Sequence, residues 1–146
     1  MPGKFRKSVF IVVYAKTNEG IKYLLLKRKL HSRGWEFAKG GIDLNESTES
    51  AAKRDTLEET GKTPINIKDF NFHGSYKYRR SFADRKEFIG QEFSLFGIEV
   101  EYGEAKIDNH EHSGYEWLSF NGAMRRLKFP NQKKSLKIVG NWLKQQ

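Results

Sequence analysis

The 146-residue chain contains no cysteine. Without cysteine the chain can form no disulfide bond and has no thiol nucleophile. This absence excludes disulfide scaffolds and enzymes that act through thiols, but it does not identify a cellular compartment. Any chemistry of this chain therefore uses oxygen and nitrogen groups.

The chain also lacks a long apolar segment. No run approaches the roughly 20 apolar residues that a membrane-spanning helix needs. Residues 1–16 place basic residues before an apolar stretch, as a signal peptide does, but that stretch is short and β-branched and lacks a small-residue cleavage site. We interpret it as a first strand and expect a cytoplasmic protein without membrane contact.

The composition suits one domain that binds an anionic partner. There is no internal repeat or low-complexity linker, and 37% of the residues are hydrophobic. A domain of this length buries roughly two-thirds of its unfolded surface, so we expect a single domain over residues 1–146. The net charge of +9 favours nucleotides, nucleic acids or acidic lipids as partners, although a lysine-rich surface also arises for solubility alone.

Hydrophobic periodicity predicts a mixed α and β domain. Apolar runs and alternating patterns indicate strands near residues 8–15, 22–28, 65–78, 91–101 and 115–120. Ser47 or Thr48 can cap a helix that runs to about Thr60, because Gly61 follows where a helix C-terminal glycine belongs. A closing helix is predicted over residues 133–143. This order of elements implies an α+β or three-layer sandwich domain.

Acidic residues of the central helix have a spacing that suits a metal ion. At about 100° per residue, Glu58 and Glu59 lie about 60° to one side and about 40° to the other side of Asp55. Such like charges repel each other by a few tenths of a kcal/mol per pair, and a hard cation such as Mg²⁺ would offset that cost. The alternative is a solvated acidic face, but Ala51 and Ala52 flank the carboxylates instead of lying opposite.

The same segment resembles the Nudix box, a motif that ends R-E-U-x-E-E-x-G-U, where U is a bulky apolar residue. The residues at the matching intervals are Gly40, Glu46, Arg54, Glu58, Glu59 and Gly61. The preceding residues 35–41 (WEFAKGG) resemble the entry segment of many members, and the resemblance covers essentially the whole chain. It implies an α+β Nudix sandwich, in which a mixed β-sheet packs between helices and residues 40–62 form a loop–helix–loop catalytic box.

Three features depart from that motif. Asp55 replaces the usual glutamate, Thr56 and Lys62 stand where apolar residues are usual, and Asn45 occupies a turn position that is often Gly. Asn tolerates the left-handed conformation that such a turn needs. Of these departures, only Asp55 concerns a residue expected to take part in the reaction. Asp keeps the negative charge of the usual glutamate but is one methylene shorter, which could shift the metal preference or slow the reaction.

The resemblance implies a role for each residue of the box. Nudix enzymes hydrolyse a nucleoside diphosphate linked to another moiety, and Mg²⁺, or Mn²⁺ in its place, neutralises the phosphates and activates the attacking water. The implied metal ligands are Glu58, Glu59, Asp55 and the backbone carbonyl of Lys39. The implied supports of the box are Gly40, Glu46, Gly61 and Arg54, and Arg54 is also placed one turn before Glu58 for an ion pair.

A second group of polar residues spans residues 109–117 (NHEHSGYEW). The H-x-H spacing would suit zinc, but it requires a strand, and no cysteine or third histidine lies nearby. The segment instead resembles the H-E-H-x-x-Y-x-W stretch of the diadenosine tetraphosphate hydrolases of the Nudix family, whose glutamate is catalytic. The resemblance therefore implies that Glu111 is a metal ligand or general base opposite the box, whereas Trp117 is expected in the core.

Candidate substrate contacts are concentrated in residues 74–91, where aromatic and basic side chains alternate. Aromatic faces stack on bases and basic groups hold phosphates. The alternative is a basic hairpin loop whose strand aromatics pack inward. Including residues outside this segment, the expected substrate contacts are Arg28, Lys39, Tyr78, Arg79, Arg80, Lys86, Gln91 and Tyr115.

These resemblances favour a Mg²⁺-dependent hydrolase of dinucleoside polyphosphates, with diadenosine tetraphosphate as the first candidate. The Ile89-Gly90-Gln91 step resembles bacterial RNA pyrophosphohydrolases, and the net positive charge also favours the alternative, removal of pyrophosphate from 5′-triphosphorylated RNA. A third hypothesis, from another class, is a catalytically weak Nudix domain that binds nucleotides or RNA. The intact set of acidic residues argues against it.

Overall fold

The computed structural model describes residues 3–29, 34–78 and 87–146, and these ranges contain seven strands and three helices. The strands are β1 (Lys4–Thr17), β2 (Gly20–Arg28), β3 (Trp35–Glu36), β4 (Ala38–Gly41), β5 (Asn66–Lys77), β6 (Phe88–Glu99) and β7 (His112–Leu118). The helices are α1 (Thr48–Thr60), α2 (Phe120–Arg126) and α3 (Pro130–Lys144). No helix within the described ranges combines the length and apolar character that crossing a membrane requires.

The seven strands form one mixed sheet, in which five have the order β3-β2-β1-β6-β5, while β4 pairs with β1 and β7 pairs with β2. β1 and β6 run parallel, and the other strand pairs are antiparallel. β1 pairs with β4 over 8–11 and with β2 over 14–17, so its neighbour changes along its length. This division places β4 beside α1, where the Lys39 N–H donates to a carboxylate oxygen of Glu59.

The central strand β1 is buried on both faces. In β1, Phe10, Val12 and Tyr14 belong to a core cluster that also contains residues of α2 and α3, whereas Val9 and Ile11 belong to a second cluster that contains two alanines of α1. A strand that is covered on both sides has a continuous apolar sequence, which explains the β-branched run of β1. The predicted three-layer α+β sandwich is confirmed.

Helix α1 begins and ends where its sequence indicates. The Ser47 hydroxyl accepts the Ser50 N–H at 3.1 Å, and Gly61 adopts a left-handed φ of 68° while its N–H donates to Leu57 O at 2.9 Å. Asn45, in the loop before the helix, also has a positive φ, of 65°. These caps hold the loop and both helix ends in place, as expected from the residue types.

Parts of the fold differ from the expectation. The strand predicted to reach Phe120 ends at Leu118, because the Ser119 hydroxyl accepts the Gly122 N–H and so caps α2, which was not predicted. β3 and β4 were also missed, since two and four residues are too few to show a period. The closing helix begins at Pro130, earlier than expected, because proline suits the first turn of a helix.

Candidate active site

A pocket of about 200 Å³ lies between the box helix and the sheet. Six acidic residues line it, namely Asp43, Asp55, Glu58, Glu59, Asp108 and Glu111. The remaining lining residues are Arg6, Lys39, Arg54, Gly40, Gly41 and Gln91. The fold therefore brings all the expected metal ligands, including Glu111 from outside the box, to one concave surface.

Arg54 organises the loop side of the pocket. Its Nε and Nη2 donate to the two carboxylate oxygens of Glu46, each at 2.8 Å, and Nη2 also donates to Gly41 O at 3.0 Å. Its Nη1 lies 2.9 Å from Asp55 Oδ1 and 3.3 Å from Glu58 Oε2. The hydrogen bonds from Arg54 lower the pKa of Glu46 to about 2. Arg54 thus joins the loop to the helix and orients two of the candidate metal ligands.

Asp55 is a buried carboxylate with one oxygen unused. Its side chain packs against Gly40 so closely that a Cβ atom at Gly40 would overlap the carboxylate, and its Oδ2 has no hydrogen-bond partner among the described residues. Burial raises the pKa of Asp55 to about 7, against the opposing effect of Arg54. Desolvation disfavours an ionised carboxylate unless a cation compensates.

Glu58 and Glu59 are neighbours in sequence but differ in environment. The Glu58 side chain is 59% exposed, whereas Glu59 is 7% exposed and accepts the Lys39 N–H at 3.2 Å. Burial raises the pKa of Glu59 well above its usual value, and Glu36 and Glu111 raise it further. Glu59 is therefore the more strongly desolvated of the two carboxylates.

The donor set of this pocket fits a hard divalent cation. Carboxylate oxygens are the ligands that Mg²⁺ prefers, and the unpartnered Asp55 Oδ2 is available for such a bond. In the present arrangement, no group of three or more Asp, Glu or His side chains among the described residues is close enough to hold an ion. Asp55 Oδ1 and Glu58 Oε2 contact Arg54, whereas the other oxygen of Asp55 has no hydrogen-bond partner among the described residues.

The histidines beside Glu111 have separate environments. His110 is exposed in a turn, where its backbone N–H donates to Asp108 Oδ1. His112 is buried, and its Nε2 lies 2.8 Å from Glu36 Oε2. They do not form a zinc site among the described residues. Trp117, which was expected in the core, is partly buried against the second core cluster and donates its indole N–H to Gly103 O.

The expected substrate contacts divide into three groups. Gln91 and Lys39 line the pocket, and Gln91 is held by the Ser8 hydroxyl at 3.1 Å. The second group, Arg28, Tyr78 and Tyr115, does not line it. The Arg28 Nε lies 3.5 Å from Glu36 Oε1, and Tyr115 packs against the second core cluster. Tyr78 follows β5 and forms an edge-to-face contact with a neighbouring tyrosine ring. The third group, Arg79, Arg80 and Lys86, lies outside the described residues.

Several residues of the site were not identified from the sequence, among them the lining residues Asp43 and Asp108. Arg6 of β1 lines the pocket and lowers the pKa of Asp55, although burial outweighs its effect. Glu36 is buried beside His112, Arg28 and Lys39. Burial alone would raise the pKa of Glu36, but Lys39, the His112 hydrogen bond and Arg28 together lower it to about 2. A glutamate between two aromatic residues, Trp35 and Phe37, was the available signal.

Comparison with known proteins identifies the family. The model of the NUDIX domain matches residues 4–138, so the chain belongs to the Nudix family. It is accordingly a hydrolase that acts on phosphoanhydride bonds of nucleotide derivatives, and such hydrolases generally use divalent metal ions, typically Mg²⁺.

Relatives within this family carry different substrate names. A Bacillus subtilis protein with the provisional name 8-oxo-dGTP diphosphatase is 29% identical over 137 residues, covering 94% of this chain and 81% of that protein. An RNA pyrophosphohydrolase of Haemophilus ducreyi is 27% identical over 80% of this chain, which spans 63% of that relative's length. A crystal structure of a C. elegans Ap4A hydrolase superposes with a TM-score of 0.77 at 20% identity, covering 97% of this chain and 99% of that one.

Proposed function

We propose that this protein is a Mg²⁺-dependent hydrolase of nucleoside polyphosphates, and that dinucleoside polyphosphates such as diadenosine tetraphosphate are its first candidate substrates. The observation that carries the proposal is the pocket itself, where Glu111 from the turn before β7 joins the three carboxylates of α1. An opposing carboxylate allows the phosphates of a substrate to lie between two acidic walls with cations bound among them.

The proposed ligands of Mg²⁺ are Glu58, Glu59, Asp55, Glu111 and the carbonyl of Lys39. The cation would neutralise phosphate charge and lower the pKa of the attacking water. Of the chain's own residues, Arg54 holds the Asp55 and Glu58 carboxylates in the pocket through its guanidinium. Arg6 and Lys39 supply positive charge on the pocket wall, which suits them to orient phosphate oxygens.

The segment around Glu111 favours dinucleoside polyphosphates among the possible nucleotides. Its resemblance to the diadenosine tetraphosphate hydrolases places a catalytic glutamate where the fold brings Glu111 into the pocket. The similarity to the C. elegans Ap4A hydrolase structure supports the fold alone, because the two chains are 20% identical. The substrate assignment therefore rests on this segment.

A specific observation favours 5′-triphosphorylated RNA as the second candidate. Residues 120–146 contain seven of the 27 basic residues of the chain and none of its acidic residues; the seven are Arg125, Arg126, Lys128, Lys133, Lys134, Lys137 and Lys144. Lys134, Lys137 and Lys144 are exposed on α3. A polyanion longer than a dinucleotide could contact this basic surface, and several relatives are named RNA pyrophosphohydrolases.

A substrate panel tests both candidates. Diadenosine tetraphosphate, 5′-triphosphorylated RNA, 8-oxo-dGTP and ADP-ribose are incubated with Mg²⁺ or Mn²⁺, and the products are separated by anion exchange. Preferred cleavage of diadenosine tetraphosphate supports the first candidate, whereas no cleavage of any substrate by the metal-loaded protein would support a nucleotide-binding module instead.

The basic surface is tested by charge-neutralising variants. Lys134→Gln combined with Lys137→Gln should raise KM for RNA and reduce its salt dependence, because each lost phosphate contact lowers the slope of log affinity against log salt by about 0.7 for a single strand. KM for diadenosine tetraphosphate should not change. The matched control is Lys16→Gln combined with Lys53→Gln, which removes the same charge from two exposed lysines elsewhere. An equal effect on both substrates would exclude RNA recognition by α3.

A further inference from the structure

A buried cluster of charged residues adjoins the pocket, and one of its members, Lys39, also lines the pocket. Glu36 of β3 and His112 of β7 are 5% and 1% exposed, and His112 Nε2 lies 2.8 Å from Glu36 Oε2. The other oxygen of Glu36, Oε1, lies 3.5 Å from Arg28 Nε and 3.4 Å from Lys39 Nζ. Side chains from β2, β3, β4 and β7 therefore meet at one carboxylate.

Lys39 connects this cluster to the box helix. Its ammonium group lies against Glu36, while its backbone N–H donates to Glu59 Oε1 at 3.2 Å. Glu59 is itself buried, so this N–H helps to decide the direction in which the carboxylate faces. A displacement of Lys39 would therefore displace the carboxylate of Glu59.

His112 connects the same cluster to Glu111, its neighbour in the chain. The backbone carbonyl of Glu111 accepts the backbone N–H of Lys29 at 2.9 Å, and the backbone N–H of His112 donates to Asp108 O at 3.0 Å. The Glu111 side chain is exposed. The buried imidazole of His112 is one of the side chains that attach this turn to the rest of the fold, together with Lys29, whose Nζ donates to Asn109 O at 2.7 Å.

Stability alone does not account for such a cluster. Desolvation of buried charges is costly, and apolar side chains of similar volume often replace them without loss of stability. The cluster adjoins two candidate metal ligands that line the pocket: the Lys39 N–H donates to Glu59, and His112 follows Glu111 in the chain. Outer partners of this kind hold metal ligands in place, and their loss typically costs about 10–100-fold in metal affinity or activity.

We propose that the Glu36–His112 pair is a positioning device that sets the separation of Glu59 and Glu111 across the pocket. Glu36 holds the Lys39 ammonium group, and the backbone N–H of Lys39 in turn holds the Glu59 carboxylate. His112 holds the turn that presents Glu111. The inference rests on the proposed metal site, and it concerns the geometry of that site, not the proton transfers in it.

Two substitutions at His112 test this device. In His112→Gln, the amide nitrogen reaches near the position of the ring Nε2 and still donates to Glu36, whereas the side chain in His112→Asn is one methylene shorter and does not reach it. For each variant we would measure kcat and KM with diadenosine tetraphosphate, the melting temperature without metal, and the Mn²⁺ dissociation constant from the electron paramagnetic resonance signal of free Mn²⁺.

We expect His112→Asn to lower kcat and weaken Mn²⁺ binding by about 10–100-fold, with KM changed less than about threefold, and His112→Gln to restore most of both. Glu36→Gln, which keeps the shape of the side chain, should follow His112→Asn and replaces it if that variant does not fold. The matched control is Glu116→Gln, which breaks an ion pair of β7 with Arg126 and should behave as wild type.

Variants at His112 and Glu36 that match Glu116→Gln in turnover and Mn²⁺ affinity would overturn the proposal. Equal losses in His112→Asn and His112→Gln, each in proportion to a lower melting temperature, would also overturn it and leave the pair with a structural role. Turnover of wild type that does not depend on a divalent metal would instead refute the metal site itself. The two failures are therefore distinguishable.

Discussion

The two walls of the pocket are built in different ways. The box wall is contiguous in sequence: Glu46, Arg54, Asp55, Glu58 and Glu59 lie within one loop and one helix, and a single guanidinium contacts three of them. The facing wall, which carries Glu111, is assembled from separate segments. The Glu36–His112 contact behind it joins residues 76 positions apart. A contiguous wall shows its chemistry as a spacing in the sequence, whereas an assembled wall shows it only after folding.

The walls also differ in how their carboxylates are solvated. Asp55 and Glu59 of the box wall are buried with raised pKa values, whereas Glu111 of the facing wall is exposed. Removing the charge of buried Asp55 or Glu59 should therefore change both activity and metal-free stability. Removing the charge of Glu111 from the second wall should change activity alone.

The largest effect is expected at the box wall. Glu59→Gln should lower kcat at least about a hundredfold, because it removes the charge of a proposed ligand of the catalytic cation. It should also raise the metal-free melting temperature, because Gln avoids the cost that folding imposes on a carboxyl group whose pKa burial raises well above its usual value. Steady-state kinetics and thermal unfolding with and without Mg²⁺ measure the two effects.

Glu58→Gln serves as the comparison for Glu59→Gln. Glu58 is exposed, so this variant should lose a similar factor in kcat while its metal-free stability stays close to that of wild type. Near-wild-type turnover in both single variants would exclude the metal-site account.

At the facing wall, Glu111→Gln should lower kcat strongly without destabilising the metal-free fold. Exposed substitutions usually change stability by less than about 0.5 kcal/mol, which corresponds to a shift of roughly 2 °C in melting temperature for a domain of this size. Nucleotide binding should also be nearly unchanged. A fall in metal-free stability that matches the loss of activity would make Glu111 structural, and the general base would then have to be sought among the box carboxylates.

A smaller effect is expected in the pH dependence of metal-free stability. Asp55 has a pKa of about 7 in the folded protein, against an ordinary value of 3.8 for a solvated aspartate, so between these values the folded protein binds more protons than the unfolded chain. Stability therefore falls as pH rises from about 4 to 7. The melting temperatures of wild type and Asp55→Asn, measured in a chelator, should diverge in favour of the variant over this range.

Mg²⁺ should oppose this pH trend, because a bound cation favours the ionised carboxylates. Glu36 and Glu46 have lowered pKa values, so their stabilising contribution is lost only below about pH 4.5, at the acid end of the measured pH range. A wild-type melting curve that parallels that of Asp55→Asn across pH 4–7 would show that Asp55 is not desolvated.

The smallest change in activity is expected for Asp55→Glu, which should retain or raise kcat. The substitution keeps the charge and restores the usual side chain of the motif, and the unpartnered Oδ2 marks the oxygen that is available to a cation. A large loss of activity in a well-folded variant would show that the packing of Asp55 against Gly40 has adapted to the shorter side chain.

Local features of the fold could be read from the sequence because short-range physics decides them. The Ser47 cap, the left-handed Gly61 and Asn45, and the ion pair between Arg54 and Glu58 each depend on a few consecutive residues. The predicted strand to Phe120 was wrong at its end. Ser119 can either continue the strand or cap a helix that begins at Phe120, and the structure shows the second alternative. Short-range patterns do not resolve that competition.

The sequence by itself determined the box: the helix period places Asp55, Glu58 and Glu59 on neighbouring positions of one turn, and the cap residues decide where that helix begins and ends. Only the tertiary structure decided that Glu59 is buried while Glu58 is exposed, that Arg6 reaches the pocket from β1, and that Glu36 meets His112. The physical reason is that burial and long-range pairing depend on which strands become neighbours, and strand pairing joins residues that no local period connects.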